Sequence, residues 1–396
     1  MNTESTKLSE SNASLRHRID VVVAIAAVHA NAVDSEARFP AEAFAEMRKH
    51  GLLGAMVPVS LGGEGASLTD VVDCVYQLGR VCASTAMIYA MHQIMLQCVI
   101  RHRGDSATLA ALGRRVVSEQ LLLASSTTEG KRGGDIRFSE AAVQRDGDRI
   151  SLERQASVIS YGAQADVIVT TARRSADAPG SDQVLIAFVK SDYTLTRVSG
   201  WSTMGMRGTC SEGFVLKASG SIGQIVPEPY EIIQPRTMLP TAHLLWGAVW
   251  GGIAAGAVSR AQAFVKKGMA QAGGQMPPGA SGLTRLAASL RTLRALLTTA
   301  LRRYESACND GEQLARLDFQ QMITTVKVEA SELAVEIVLG ALRVCGLSGY
   351  RCDGEFSIER SLRDVLSAPI MINNDRILSN LASQALLVRV PDSLHD

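Results

Sequence analysis

TMLPTAHLLWGAVWGGIAAGAVS, residues 237–259, holds no Lys, Arg, Asp or Glu over a length that would cross a bilayer, and it contains two GxxxG spacings, Gly247/Gly251 and Gly252/Gly256. The fold turns on whether this stretch is a membrane span or the central helix of a soluble bundle. Pro240 near its start, His243 inside it and its many small residues oppose a span, and no second comparable segment is evident in the sequence. It reads as a helix buried on all sides, with glycines that let a neighbouring helix approach closely. No membrane span is expected.

On the C-terminal side, leucines at 283, 286, 290, 293 and 297 recur by three and four and leave Arg285, Arg291, Arg294 and Arg302 mostly outside the seam, which predicts a bundle helix and an oligomer contact. AGGQMPPGASG (272–282) is the turn that precedes it. On the N-terminal side the texture alternates. FPAEAFAEMRKHG (39–51) predicts a short helix stopped by Gly51, and SLTD (67–70) predicts an N-cap with an acidic residue three positions on. A helix over about 84–102 carries Met87, Met91 and Met95 with His92 and Gln93 between them, the pattern of a packed core. From Leu121 the runs VIVTTA, VLIAFV and FVL and the turn pair Asp146-Gly147 predict strands and a hairpin. The expected architecture is α+β and mostly helical: an N-terminal helical domain (1–120), a middle β-sheet domain (121–226) and a C-terminal helical bundle (227–396).

In 396 residues, 40 Lys plus Arg oppose 39 Asp plus Glu, a net charge of +1 that gives no global pull on nucleic acid. The seven cysteines form no CxxC pair or zinc spacing, so no metal site is expected. The first twenty residues are polar and lack the apolar core of a secretion signal, which favours a cytoplasmic location. GxGxxG after a strand, GxxxxGK[ST], HExxH and GxSxG are all missing. What the sequence does offer is two hydroxyl-rich loops, Ser125-Ser126-Thr127-Thr128-Glu129-Gly130 and Ser157-Val158-Ile159-Ser160-Tyr161-Gly162. Such hydroxyls and free N–H groups suit a heteroaromatic, phosphate-bearing ligand.

The order of these pieces, with RFPAEAFAEMRKHGLLG, STAMIYAMH, TTEGKRGGD, RQASVISYGAQAD, WSTMGMRGT and CGLSGY followed by ERSLRD, resembles the acyl-CoA dehydrogenase superfamily over nearly the whole chain. The resemblance implies the same three-part fold, a homodimer or homotetramer, and FAD as cofactor, with FMN as the alternative. Carried over by position, it implies flavin contacts from Thr128, with Ser125 and Thr127 on the same strand, and from Gly134, which stands where a Ser is usual. Val158, beside Ile159, takes the place of a Trp against the flavin ring, and Ser160 takes the hydroxyl position near flavin N5. Arg343 replaces a common Gln and is a cation for a phosphate, and Asn374 lies in the loop the family puts on the flavin side.

The family's catalytic Glu is not where the resemblance places it: Ile372 and Ala242 occupy its two positions. His243, next to the second position, and Asp375, three residues past the first, are the substitute bases, while His92 and Ile372 are expected to border the substrate pocket. The expected activity is oxidation of an acyl thioester of CoA or a carrier protein, with hydride passing to flavin and on to an electron-transfer flavoprotein. The alternative is a flavin-dependent monooxygenase served by a flavin reductase, and a further one is a non-catalytic assembly protein.

Overall fold

The computed structural model describes residues 2–129, 136–277, 279–390, 392 and 393, with side chains from Leu15 onward. The chain divides into two compact units, Met1–Ile253 and Ala254–Asp396, the break falling inside one long helix.

The first unit begins with helices α1 (Asn2–Ser35), α2 (Ala41–Lys49), α3 (Leu68–Gly79), α4 (Ala83–Arg101) and α5 (Ala107–Glu119). The predicted punctuation is present. Gly51 follows α2 with φ +71°, and at α3 the Ser67 side chain accepts from the Asp70 N–H while Asp70 accepts from the Ser67 N–H, a capping box. α4 is buried from Ser84 to Ile100 except at Met91, and its buried polar residues His92, Gln93 and Gln97 each bond a backbone carbonyl of residues 52–56.

Among the described residues seven strands follow: β1 (Leu123–Ser126), β2 (Gln144–Asp146), β3 (Arg149–Ile159), β4 (Val167–Arg173), β5 (Gln183–Val189), β6 (Tyr193–Ser199) and β7 (Glu212–Ser221). They form two sheets. One runs β1-β4-β5, with β1 parallel to β4, and the other runs β2-β3-β7-β6, antiparallel throughout. The β2–β3 hairpin turns at Gly147 with φ +56°, the conformation that the Asp-Gly pair supplies. β3 and β6 each slip register against β7, at Ala156/Ile159 and Arg197/Ser199, which breaks both ladders at the same end of the sheet.

α6 (Tyr230–Ile233) continues through a π-helical turn at Gln234–Met238 into α7 (Leu239–Gln271), the helix anticipated at 237–259. Within the first unit it crosses α3 backbone to backbone: a Cβ on Gly252 would lie 2.3 Å from the Tyr76 carbonyl oxygen and 2.9 Å from Gly79 Cα. This is the close approach expected of its glycines. One expectation is corrected, since α4 is also long and apolar enough to span a membrane. Both are core helices, with 94% of the most apolar window of α4 and 89% of that of the α6–α7 helix buried.

The second unit holds the rest of α7 together with α8 (Ala280–Ala307), α9 (Gly311–Ala315), α10 (Leu317–Cys345), α11 (Leu347–Tyr350), α12 (Glu359–Val365) and α13 (Asn374–Ala385). In the predicted seam of α8, Leu286, Leu293 and Leu297 are buried and α8 packs on α10, where Gly340 makes room for Leu286. Arg285, Arg291, Arg294 and Arg302 are exposed.

Candidate active site

The broken end of the β sheets gathers the first set of candidate residues. Tyr161, at φ +43°, donates its hydroxyl to the Leu123 carbonyl at 2.8 Å and so ties the end of β3 to β1. Just before it, Ser160 Oγ lies 2.8 Å from Ser211 Oγ, which lies 2.8 Å from Thr209 Oγ1, and Thr209 Oγ1 donates to the Met206 carbonyl at 2.8 Å. All three hydroxyl residues are buried. Trp201 Nε1 donates to the same carbonyl at 3.1 Å, which fixes the 200–206 loop beside them. Val158, in the bulge, is 37% exposed, an apolar residue at the sheet surface. At the end of β1, Ser125 Oγ meets Thr127 Oγ1 at 3.2 Å, and Thr128 is partly exposed. Met206 at φ +53° and Cys210 at φ +45° add backbone strain to this corner, which is where proteins keep strain for functional use.

Three predicted residues turn out to be internal. Ile159 is fully buried, so its side chain belongs to the β core rather than to a cofactor surface. His92 is fully buried, with Nε2 2.8 Å from the Leu53 carbonyl and Nδ1 accepting from the Leu123 N–H at 3.0 Å. Those partners make it the neutral Nε2–H tautomer, and burial pulls its pKa down to about 4. Instead of bordering the substrate, it pins α4 to β1. His243 is likewise a core residue, 3% exposed, with its ring centroid 6.0 Å from that of Trp246. Gly134 lies outside the described residues.

One buried pair was not anticipated. Glu129 accepts from the Glu140 and Ala141 N–H groups and stands 3.6 Å from Arg154 Nε. Arg154 is wholly buried, and burial pulls its pKa down to about 10 against the attraction of Glu129. Glu129, directly after Thr128, thereby joins the chain to residues 140 and 141. A surface pocket of about 350 Å³ between Arg145, Arg174 and Pro227 includes none of these residues. Among the described residues no His, Cys, Asp and Glu cluster is built to hold a metal.

In the second unit, the turn before α13 is held from beneath. Lys327 Nζ, on α10 and buried, donates to the Ile372 carbonyl at 2.8 Å and to Asn374 Oδ1 at 2.6 Å. Asn374 Nδ2 in turn donates to Ser331 Oγ at 3.0 Å and Glu332 Oε1 at 3.2 Å. Ile372 sits at φ +52°, a left-handed conformation that β-branched residues avoid, and Asn373 caps α13 by accepting from the Asp375 and Arg376 N–H groups. Two expectations change here. Asn374 is buried and committed to this network, so its side chain is not a free cofactor ligand. Ile372 and Asp375 are not one turn apart on a common helix, because the left-handed residue and the cap intervene. Asp375 is exposed at the start of α13, and Arg343 is exposed near the end of α10.

Residues 12–120 match the family model for the acyl-CoA dehydrogenase N-terminal domain, and residues 235–387 match that for the acyl-CoA dehydrogenase C-terminal domain. A cyclohex-1-ene-1-carbonyl-CoA dehydrogenase of Geobacter metallireducens is 30% identical over 380 residues, covering 93% of this chain and 95% of that one. The chain belongs to the acyl-CoA dehydrogenase family. This acyl-CoA dehydrogenase-family protein is accordingly a flavin-dependent oxidoreductase. A probable acyl-CoA dehydrogenase of Bacillus subtilis, YngJ, is 24% identical over 85% of this chain and 87% of its own. Among solved structures, KijD3 in complex with dTDP shares the fold at a TM-score of 0.82 with 21% identity, over 94% of this chain and 96% of that one. FMN-bound TdsC from Paenibacillus sp. A11-2 matches at a TM-score of 0.82 with 17% identity, over 95% and 98%.

The residues of this acyl-CoA dehydrogenase-family protein fit a flavin where they can be tested. A flat heteroaromatic ring needs an apolar surface beside a few fixed polar atoms. The exposed Val158 on β3 and the hydroxyls of Ser160 and Thr128, just past the ends of β3 and β1 that Tyr161 ties together, supply that combination.

Proposed function

We propose that this protein oxidises an acyl thioester, of CoA or of a carrier protein, across its α,β bond. FAD, with FMN as the alternative, supplies the hydride acceptor when bound. Thr128, Val158 and Ser160 would lie against the flavin ring, with Ser160 at N5 and Arg343 available to a phosphate. Asp375 would remove the α proton. The observation that carries this reading is the Asp375 carboxylate: it is exposed, no hydrogen bond of its own side chain is present among the described residues, and it stands on a turn that Lys327 and Asn373 hold in one shape. A base needs both an open carboxylate and a fixed position. The 30% identity with a dehydrogenase of a cyclic acyl-CoA supports the thioester class. An electron-transfer flavoprotein would take the electrons onward, and a cytoplasmic homodimer or homotetramer is the proposed form.

The purified protein, loaded with FAD, should lose its flavin absorbance when an acyl-CoA is added without oxygen. Asp375→Asn should retain FAD and slow that bleaching by about 10²–10⁴-fold, the usual contribution of a general base. Bleaching at the wild-type rate would remove Asp375 from the role.

A second reading has its own support. Ile372 and Ala242 stand where a Glu is expected, and a reaction on oxygen needs no such base. TdsC, a dibenzothiophene monooxygenase, shares the fold. If no acyl thioester bleaches the flavin, and reduced flavin from a reductase yields an oxygenated product in the presence of O2, the monooxygenase reading replaces the first.

A further inference from the structure

The hydroxyl chain at the end of the β sheets has a direction, and that direction follows from its distal end. Thr209 Oγ1 is 2.8 Å from the Met206 carbonyl oxygen, which has no proton to give, so the Thr209 proton occupies that bond. The 2.8 Å contact between Thr209 and Ser211 must then be bridged by the Ser211 proton, and the 2.8 Å contact between Ser211 and Ser160 by the Ser160 proton. All three residues are buried, so bulk water does not stand in for a missing donor. The Ser160 proton is thus spent inside the protein, and Ser160 Oγ presents only lone pairs to whatever lies against it.

We propose that the Thr209–Ser211–Ser160 chain holds Ser160 as a fixed hydrogen-bond acceptor, so that this end of the β domain selects reduced flavin over oxidised flavin. The inference rests on the placement of Ser160 at flavin N5 given above. In oxidised flavin N5 is itself an acceptor, and two acceptors facing each other repel. Reduced flavin carries hydrogen on N5, gained with two electrons and a proton, and that N–H finds its acceptor ready. For Ser160 to donate outward instead, its bond to Ser211 must open and leave two buried oxygens 2.8 Å apart with no proton between them. A net hydrogen bond near the upper end of its usual range, about 1.4 kcal/mol, corresponds to a roughly tenfold preference for the reduced form. The left-handed residues Tyr161, Met206 and Cys210 hold the backbone around the chain in one shape, which keeps it from relaxing to a different pairing.

The test is the ratio of dissociation constants for oxidised and reduced flavin, measured anaerobically with dithionite as reductant, together with the midpoint potential of the bound flavin. Thr209→Val keeps the shape but removes the anchoring donor, which lets the chain reverse. The preference for reduced flavin should fall about tenfold, equivalent to a potential about 30 mV lower for a two-electron couple. Ser211→Ala should act in the same direction, because the Ser160 proton is then free to turn outward, and Thr209→Ser should keep the wild-type ratio. A Thr209→Val or Ser211→Ala protein that binds flavin at the wild-type potential overturns the relay and leaves the functional reading intact. A wild-type protein that binds neither FAD nor FMN overturns the reading and the relay with it.

Discussion

At the scale of single residues, three polar side chains in this protein do work that their neighbours in sequence do not announce. Lys327 lies between Val326 and Val328 on α10, and its burial pulls its pKa down to about 8, partly offset by Glu332. The ammonium tolerates this site because the Ile372 carbonyl and Asn374 take its protons, and in return it holds the left-handed turn before Asp375. Lys327→Met would leave the half-buried Ile372 carbonyl and the buried Asn374 Oδ1 without this donor, and unfolding in urea should show a loss of about 2 kcal/mol. Hydrogen exchange at the amides of 372–376 should quicken ahead of the rest of the unit, and uniform quickening would refute a local clamp. The sequence showed the polar run 373–376 but not which of its members face inward. That depends on Ile372 adopting φ +52°, which no β-branched residue advertises. Ser211 and Thr209 escaped notice for a similar reason: their adjacency to Ser160 is created by β3–β7 pairing, and a short GTCS run has no signature of its own.

At the scale of elements, the two long apolar helices are soluble-core elements because other parts of the chain cover them. The α3–α7 crossing depends on having no side chain at Gly79 and Gly252, since a Cβ at Gly79 would lie 2.6 Å from the Val249 carbonyl oxygen. Gly252→Val should therefore destabilise the first unit by about 1–3 kcal/mol or more, the cost of overpacking a filled contact. Thermal unfolding would show this as a lowered Tm. Gly147→Ala should move it much less, because nothing lies within 4 Å of that position and only the positive φ resists. Equal losses at both sites would mean that the crossing is not close-packed. The boundaries of these helices were legible from caps and glycines, as at Ser67 and Gly51, because capping is local chemistry. That α7 continues from a π-helical turn was not, since the Thr237 hydroxyl meets His102 Nε2 at 2.7 Å across 135 residues.

At the scale of the whole molecule, stability should respond to pH through His92. Its folded pKa of about 4 lies below the ordinary 6.5, so between these values the unfolded chain binds a proton that the folded chain refuses. Stability from this group is complete above about pH 6.5 and is lost as pH falls towards 4, by on the order of 3 kcal/mol. A His92→Gln protein should show a shallower fall in unfolding free energy over that window, and the wild-type imidazole signal should titrate near pH 4 by NMR. Parallel stability curves, or an imidazole that titrates near 6.5, would contradict this. The sequence by itself determined the family, the α–β–α order of elements, the hairpin at Gly147 and the near-neutral charge, because these follow from composition, periodicity and motifs that persist along the chain. Only the tertiary structure decided that His92 and His243 are core residues, that Asn374 is a strut and Asp375 an open carboxylate, and that Ser160 meets Ser211 and Thr209. Burial and hydrogen-bond direction belong to partners tens of residues away, and a linear sequence does not say which partners meet.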